Sequence, residues 1–288
     1  MSREPVVPAA PGLPLPLTGE TRLFAILGDP IAQAGSPALF NAEFRRRSVP
    51  CVLVPMRVPP AGLETAFKGL WTVANLDGLV LTVPHKIDVL RFVDELGPTA
   101  RRMGAVNAVR RLPDGRLLGE NFDGAGFVGG LHRRGFSIAG RSILIVGCGG
   151  AGTAIAFAVA EQRPGALHLF DVDPLRASDL ARRIREAHPD LPIHAGDRDP
   201  TGMDMVVNCT SLGMKSGDAF PVELDRMDSR TVAVDIVLKP EVTPFLARAA
   251  ALGCATHPGS HMLVAQVGAI CDFFGLNPIS IPDEMRNS

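Results

Sequence analysis

The segment Gly147-Cys-Gly149-Gly150-Ala151-Gly152 restricts this chain most, because it sits between an apolar run, Ser142–Val146, and a small-residue run from Thr153 to Ala158. Strand, GxGxxG turn and helix in that order form a phosphate-binding arrangement. Gly147 permits the tight turn, Gly149 lets the backbone approach a pyrophosphate, and Gly152 allows close packing of helix on strand. The helix start, with Gly150 and Ala151, then offers free N–H groups to phosphate oxygens. A purely structural glycine turn is the competing reading, and the flanks favour dinucleotide binding. The next apolar run, Ala166–Phe170, ends at Asp171. A carboxylate there can accept from ribose hydroxyls and repels the phosphate that distinguishes NADP from NAD. Asp173 adds to that charge, and Arg176, the nearby cation, reads as a solvent-facing helix residue. NAD is expected, with NADP as the lesser alternative.

The rest of the chain alternates strand and helix. A strand over residues 22–27, a helix opened by Ser36-Pro37, a strand over 51–54, a helix over 60–70 and a strand over 79–82 form one series. Residues 87–96 read as a further helix, and 106–110 with 116–118 as a hairpin around Pro113-Asp114-Gly115. A helix over 123–134 leads to the second series: strands at 142–146, 166–170, 192–194, 205–208 and 232–235, with helices at 152–161, 174–187, 243–252 and 260–274. The expected fold is α/β: an N-terminal α/β substrate domain (19–122) and a Rossmann-type nucleotide domain (123–258), with a cleft between them. Residues 259–288 are expected to pack a final helix back on the first domain. Residues 1–18, punctuated by Pro5, Pro8, Pro11, Pro14 and Pro16, read as a disordered leader.

Composition excludes several classes. With 29 basic and 30 acidic residues the net charge is -1, so the chain lacks the positive field that nucleic-acid binding requires. The run Arg45-Arg46-Arg47 reads as a solvated helix end. No apolar run reaches the roughly 18 residues of a membrane span. The 5 cysteines are scattered without a CxxC, which suits a reducing, cytoplasmic setting and no metal site. Cys254, His257 and His261 cluster, but the spacing lacks a fourth ligand and crosses Pro258-Gly259.

Lys86 follows the apolar run Gly78-Leu-Val-Leu-Thr82 and points toward the crevice at the strand's carboxyl end. Asn107 and Asp123 follow in Gly104-Ala-Val-Asn107 and Gly119-Glu-Asn-Phe-Asp123. Singly, Lys86 reads as a helix-start surface residue and the other two as turn or cap residues. Together in one cleft, a lysine and an aspartate supply a proton-transfer group and its orienting partner.

These pieces resemble the shikimate/quinate dehydrogenase family over residues 22–275. The resemblance rests on Gly28-Asp-Pro-Ile31 with Ser36-Pro37, Thr82-Val-Pro-His-Lys86, Gly104–Asn107, Gly119–Asp123 and the Gly147 loop. It continues through Asn208-Cys-Thr-Ser-Leu-Gly-Met214, Thr243-Pro244 and Met262-Leu-Val-Ala-Gln266. The resemblance implies Lys86 and Asp123 as the catalytic pair, Thr82, Asn107 and Gln266 as ring-hydroxyl ligands, and Ser36 as a carboxylate ligand. Thr210, Gly213 and Met214 would lie near the nicotinamide. Four positions depart from the family pattern: Ala34, Val80, Phe122 and Leu238 put carbon where a polar group is usual. The expected function is hydride transfer between a nicotinamide cofactor and a cyclic hydroxy acid of shikimate or quinate type, by a monomer or homodimer. A nucleotide sensor on the same fold, with little catalysis, is the alternative.

Overall fold

The computed structural model describes residues 17–32, 34–215 and 217–276, so most of the expected leader and residues 277–288 lie outside it. Two six-stranded sheets organise the chain. The first contains β1 (Arg22–Gly28), β2 (Cys51–Arg57), β3 (Leu76–Leu81), β4 (Glu95–Leu96), β5 (Ala108–Arg111) and β6 (Leu117–Glu120), in the order β2-β1-β3-β5-β6-β4. β1 pairs in parallel with β2 and β3, while β5 runs antiparallel to β3 and β6. Helices α1 (Ser36–Arg46), α2 (Leu63–Leu70) and α3 (Pro98–Met103) belong to this half. Alternation along β1 explains its apolar sequence, since both faces are covered. Phe24 and Ile26 pack with Phe40 and Phe44 of α1, whereas Ala25 and Leu27 pack with Phe67 of α2.

The second sheet is wholly parallel: β7 (Ser142–Val146), β8 (Ala166–Phe170), β9 (Ile193–Ala195), β10 (Met205–Asn208), β11 (Val232–Asp235) and β12 (Ala255–His257), ordered β12-β11-β10-β7-β8-β9. Its helices are α5 (Gly150–Glu161), α6 (Pro174–Ala187) and α7 (Pro244–Ala251). The chain moves outward through β8 and β9, then crosses back to β10. That reversal leaves a crevice at the carboxyl ends of β7 and β10, where such sheets bind ligands.

α4 (Asp123–Arg133) and α8 (Gly259–Phe273) join the halves. α8 leaves the second sheet and buries Val267 and Ile270 against Phe24 of the first. Small residues let α4 lie close to both its neighbours. A Cβ on Gly126 would stand 2.8 Å from Gln266 Cβ, and one on Gly124 would stand 2.6 Å from the Ala154 carbonyl oxygen of α5.

Local details depart from the sequence reading. Residues 87–96 form a short 3-10 turn, Asp88–Phe92, and the two-residue strand β4, because Glu95 and Leu96 find β6 as a partner. α3 and β12 were not anticipated. Ser36-Pro37 do open α1, with Gly35 as its cap residue, and no side chain caps that end. Arg47 is buried rather than solvated: it donates to Glu43, Asp272 and the Leu276 carbonyl, tying α1 to α8. No described helix is long and apolar enough to cross a membrane.

Candidate active site

The first half delivers its polar side chains to one point. β3 ends at Leu81, and the turn beyond it carries Thr82 and Lys86. Lys86 Nζ donates to Asp123 Oδ2 at 2.6 Å. Asp123 opens α4, and its other oxygen accepts from Asn107 Nδ2 at 2.9 Å and from Gln266 Nε2 at 2.7 Å. Asn107 lies just before β5, and Gln266 comes from α8, so four separated segments meet on one carboxylate. Burial pushes the Asp123 carboxyl up, but the Lys86 charge and the three donated hydrogen bonds outweigh it and hold it below its usual value. Asp123 therefore stays ionised and fixes the Lys86 ammonium in place. Asn121 and Asn107 brace the arrangement by accepting from the Asp123 and Phe122 N–H groups. His85, next to Lys86, is fully buried and bonded to the Val58 carbonyl at 2.7 Å, so it acts on the turn and not on the cavity.

A cavity of about 200 Å³ lies over this cluster. Ser36, Thr82, Lys86, Asn107, Asp123 and Gln266 line it, as does Ala151 of the glycine loop, so substrate and cofactor candidates share one space. Ala34, Val80 and Leu238 also line it. Phe122 does not: its ring packs toward the apolar core with Phe273, centroids 5.3 Å apart.

The second half offers backbone. Gly147 adopts φ +100, which only glycine tolerates without strain. A Cβ on Gly152 would lie 1.8 Å from the Gly147 carbonyl oxygen, whereas one on Gly149 would meet nothing within 4 Å. The N–H groups of Gly149, Gly150 and Ala151 have no acceptor among the described residues. Open space above unpaired donors at a helix N-terminus fits the pyrophosphate of a dinucleotide. Across the crevice, Asn208 holds the following loop by donating to the Leu212 carbonyl and to Asp235, and by accepting from Thr210. Gly213 (φ +96) and the exposed Met214 end that loop. Asp235, itself held by Thr243 at 2.7 Å, was not singled out from sequence; its position at a strand end beside Asn208 was the available signal.

The chain matches the family model described as shikimate dehydrogenase substrate binding domain over residues 26–109. It is 35% identical over 249 residues to a shikimate dehydrogenase (NADP(+)) of Lysinibacillus sphaericus, covering 86% of this chain and 89% of that one. Among solved structures, shikimate 5-dehydrogenase of Thermus thermophilus, in complex with NADP(H) and shikimate, aligns with TM-score 0.80 and 30% identity over 90% of this chain and 95% of that one. The ligand-free 5-ketofructose reductase of a Gluconobacter strain aligns with TM-score 0.80 and 31% identity over 88% and 92%.

The comparisons overturn the expectation of NAD: four similar shikimate dehydrogenases, 35–36% identical, are NADP(+) enzymes, and NADP is favoured over NAD. The charge argument treated the Asp171 carboxylate as free to face the ribose. In the structure each of its oxygens already accepts one backbone N–H, from Cys148 at 2.7 Å and from Asp173 at 2.9 Å, so part of its hydrogen-bonding capacity braces the glycine loop. Arg198, from the loop after β9, lies over the Phe170 ring at 5.5 Å and brings a cation to that strand end that local sequence did not reveal.

Proposed function

From the premise that this chain belongs to the shikimate dehydrogenase family, we propose that it is an NADP-linked dehydrogenase interconverting a ketone and a secondary alcohol on a shikimate-type hydroxylated ring. The observation that carries the reading is the pair of half-buried Lys86 and buried Asp123, joined by Asn107 and Gln266 beneath a cavity that reaches Ala151 of the glycine loop. The nicotinamide cofactor supplies the hydride when bound. Gly147, Gly149, Gly150, Ala151 and Gly152 would hold its pyrophosphate, and Thr210, Gly213 and Met214 would flank the reacting end. Asp171 would brace the loop, with Arg176 and Arg198 as the cations nearby.

In the reductive direction the carbonyl carbon gains the hydride, and Lys86 gives its proton to the forming alkoxide, then regains one from water. Oxidation reverses this, with neutral Lys86 accepting the hydroxyl proton. Asp123 keeps the lysine placed. The amide groups of Asn107 and Gln266 each spend one N–H on Asp123, which leaves the second for a ring hydroxyl. Thr82 and Ser36 complete the polar lining. The Lys86–Asp123 geometry supports catalysis over the sensor reading, since a sensor has no use for a positioned proton donor. Similarity to biosynthetic dehydrogenases and the unpaired cysteines support a cytoplasmic setting.

Replacing Lys86 with alanine tests the proposal. Turnover with shikimate and NADP(+) should fall by about 10²–10⁴-fold, while the dissociation constant for NADP(+) stays put. Unchanged turnover in that variant overturns the assignment.

A further inference from the structure

The cavity contains two charged side chains, and they neutralise each other. Among the described residues of its lining Lys86 is the one cation and Asp123 the one anion, and they stand 2.6 Å apart. Beside Pro30 at the rim, Asp29 is likewise matched, by Arg57 at 2.7 Å. Thr82, Asn107 and Gln266 gather around the pair. Ser36 apart, the remaining described side chains of the lining are apolar, among them Ala34, Val80, Ile236, Leu238, Met262 and Leu263. Ser36 supplies the single hydroxyl on that side among the described residues. It begins α1, whose capping residue has no side chain and whose next residue, Pro37, has no N–H to offer.

A carboxylate entering this space would lose its water and meet no unpaired cation among the described residues. Against Lys86 it would compete with Asp123, and elsewhere it would find one hydroxyl and the partial charge of a helix end. A ketone or hydroxyl has the opposite experience. It needs one or two hydrogen bonds, which Lys86, Asn107 and Gln266 can give, and its carbon skeleton suits the apolar walls.

We infer that the pocket selects an uncharged hydroxylated ring, read at one carbonyl or hydroxyl by the Lys86 cluster and carrying no carboxylate on the rest of its skeleton. This rests on the dehydrogenase reading above and narrows its substrate. The test compares kcat/KM for shikimate with that for its carboxamide and its methyl ester, which keep the ring and remove the charge, all with NADP(+). The neutral compounds should be favoured by tenfold or more, on the order of one lost charged contact. Leu238→Lys, at a rim position 38% exposed, should swing the ratio back toward the acid by a similar factor, and Leu238→Gln should not. Preference of the wild type for the acid overturns this inference and leaves the dehydrogenase reading standing. Turnover of none of the three overturns both.

Discussion

The two walls of the cleft are made of different material. On the β3 side, function is carried by side chains from four segments, each locked by the next: Lys86 on Asp123, Asp123 on Asn107 and Gln266, Asn107 on the Phe122 backbone. On the β7 side it is carried by main chain, with N–H donors exposed because Gly147 and Gly152 let the loop close without side chains. The difference teaches where each wall is vulnerable. A side-chain wall fails when one atom changes its charge, with the fold intact. A backbone wall fails when one carbon is added, and the local fold goes with it.

The sharpest way to break this contrast is Asp123→Asn. The substitution keeps the shape of the buried group and removes its charge, so Lys86 loses the ion-pair partner that holds it in place. Turnover should fall by about 100-fold or more, in the range for a displaced acid–base group. NADP(+) affinity, measured by fluorescence titration, should not change, since the other wall is untouched. A parallel loss of cofactor affinity would show that the two walls are not separable.

The converse experiment adds carbon to the backbone wall. Gly152→Ala puts a Cβ where the Gly147 carbonyl oxygen already lies, 1.8 Å away, and neither atom belongs to a flexible side chain. The loop must shift, at a cost of about 1–3 kcal/mol in stability. NADP(+) binding should weaken at least as much. Gly149→Ala is the control, because its Cβ meets nothing within 4 Å: stability should hold and only cofactor binding should suffer. Equal melting temperatures for the two variants would refute the distinction.

What the sequence made legible follows the same division. The strands Ser142–Val146 and Ala166–Phe170 and the glycine turn were readable because they are local: a continuous apolar run, a turn that needs glycine and a helix start lie within one stretch. Lys86 and Asp123 were readable by their motifs, though their 2.6 Å contact was not. Features that depend on distant partners stayed hidden. Arg47 looks like part of a surface run until Asp272, far along the chain, reaches it from α8. Glu95 and Leu96 continue a helical-looking pattern until β6 pairs with them. Asp171 reads as an unengaged carboxylate until the Cys148 and Asp173 N–H groups each donate to one of its oxygens. Gly124 and Gly126 look like poor helix formers, and their purpose appears only when α5 and α8 press on α4.

The smallest expected effect lies where the second half depends on a buried side chain. His257 of β12 is 1% exposed, its Nε2 lacks a partner among the described residues, and its ring meets Phe136 edge-on at 5.8 Å. Its Nδ1 lies 3.3 Å from Nδ1 of His261 on α8. Burial pushes the imidazole down to about 4, and the charges of His261 and Arg134 press the same way. His261 is lowered as well, by burial and Arg134, with Glu241 opposing. A histidine with a depressed folded value stays neutral in the fold while the unfolded chain takes up a proton. Its contribution is therefore fully present above the unfolded value near 6.5 and is lost progressively as pH falls toward 4. About 1–2 kcal/mol should therefore disappear between pH 7 and pH 5. Urea unfolding at the two pH values, for wild type and His257→Phe, measures it. The variant should lose less stability on acidification than the wild type by that amount, and its NADP(+) affinity at pH 7 should be unaltered. Identical pH slopes would mean that the His257 ring already reaches water or a proton acceptor in the folded chain.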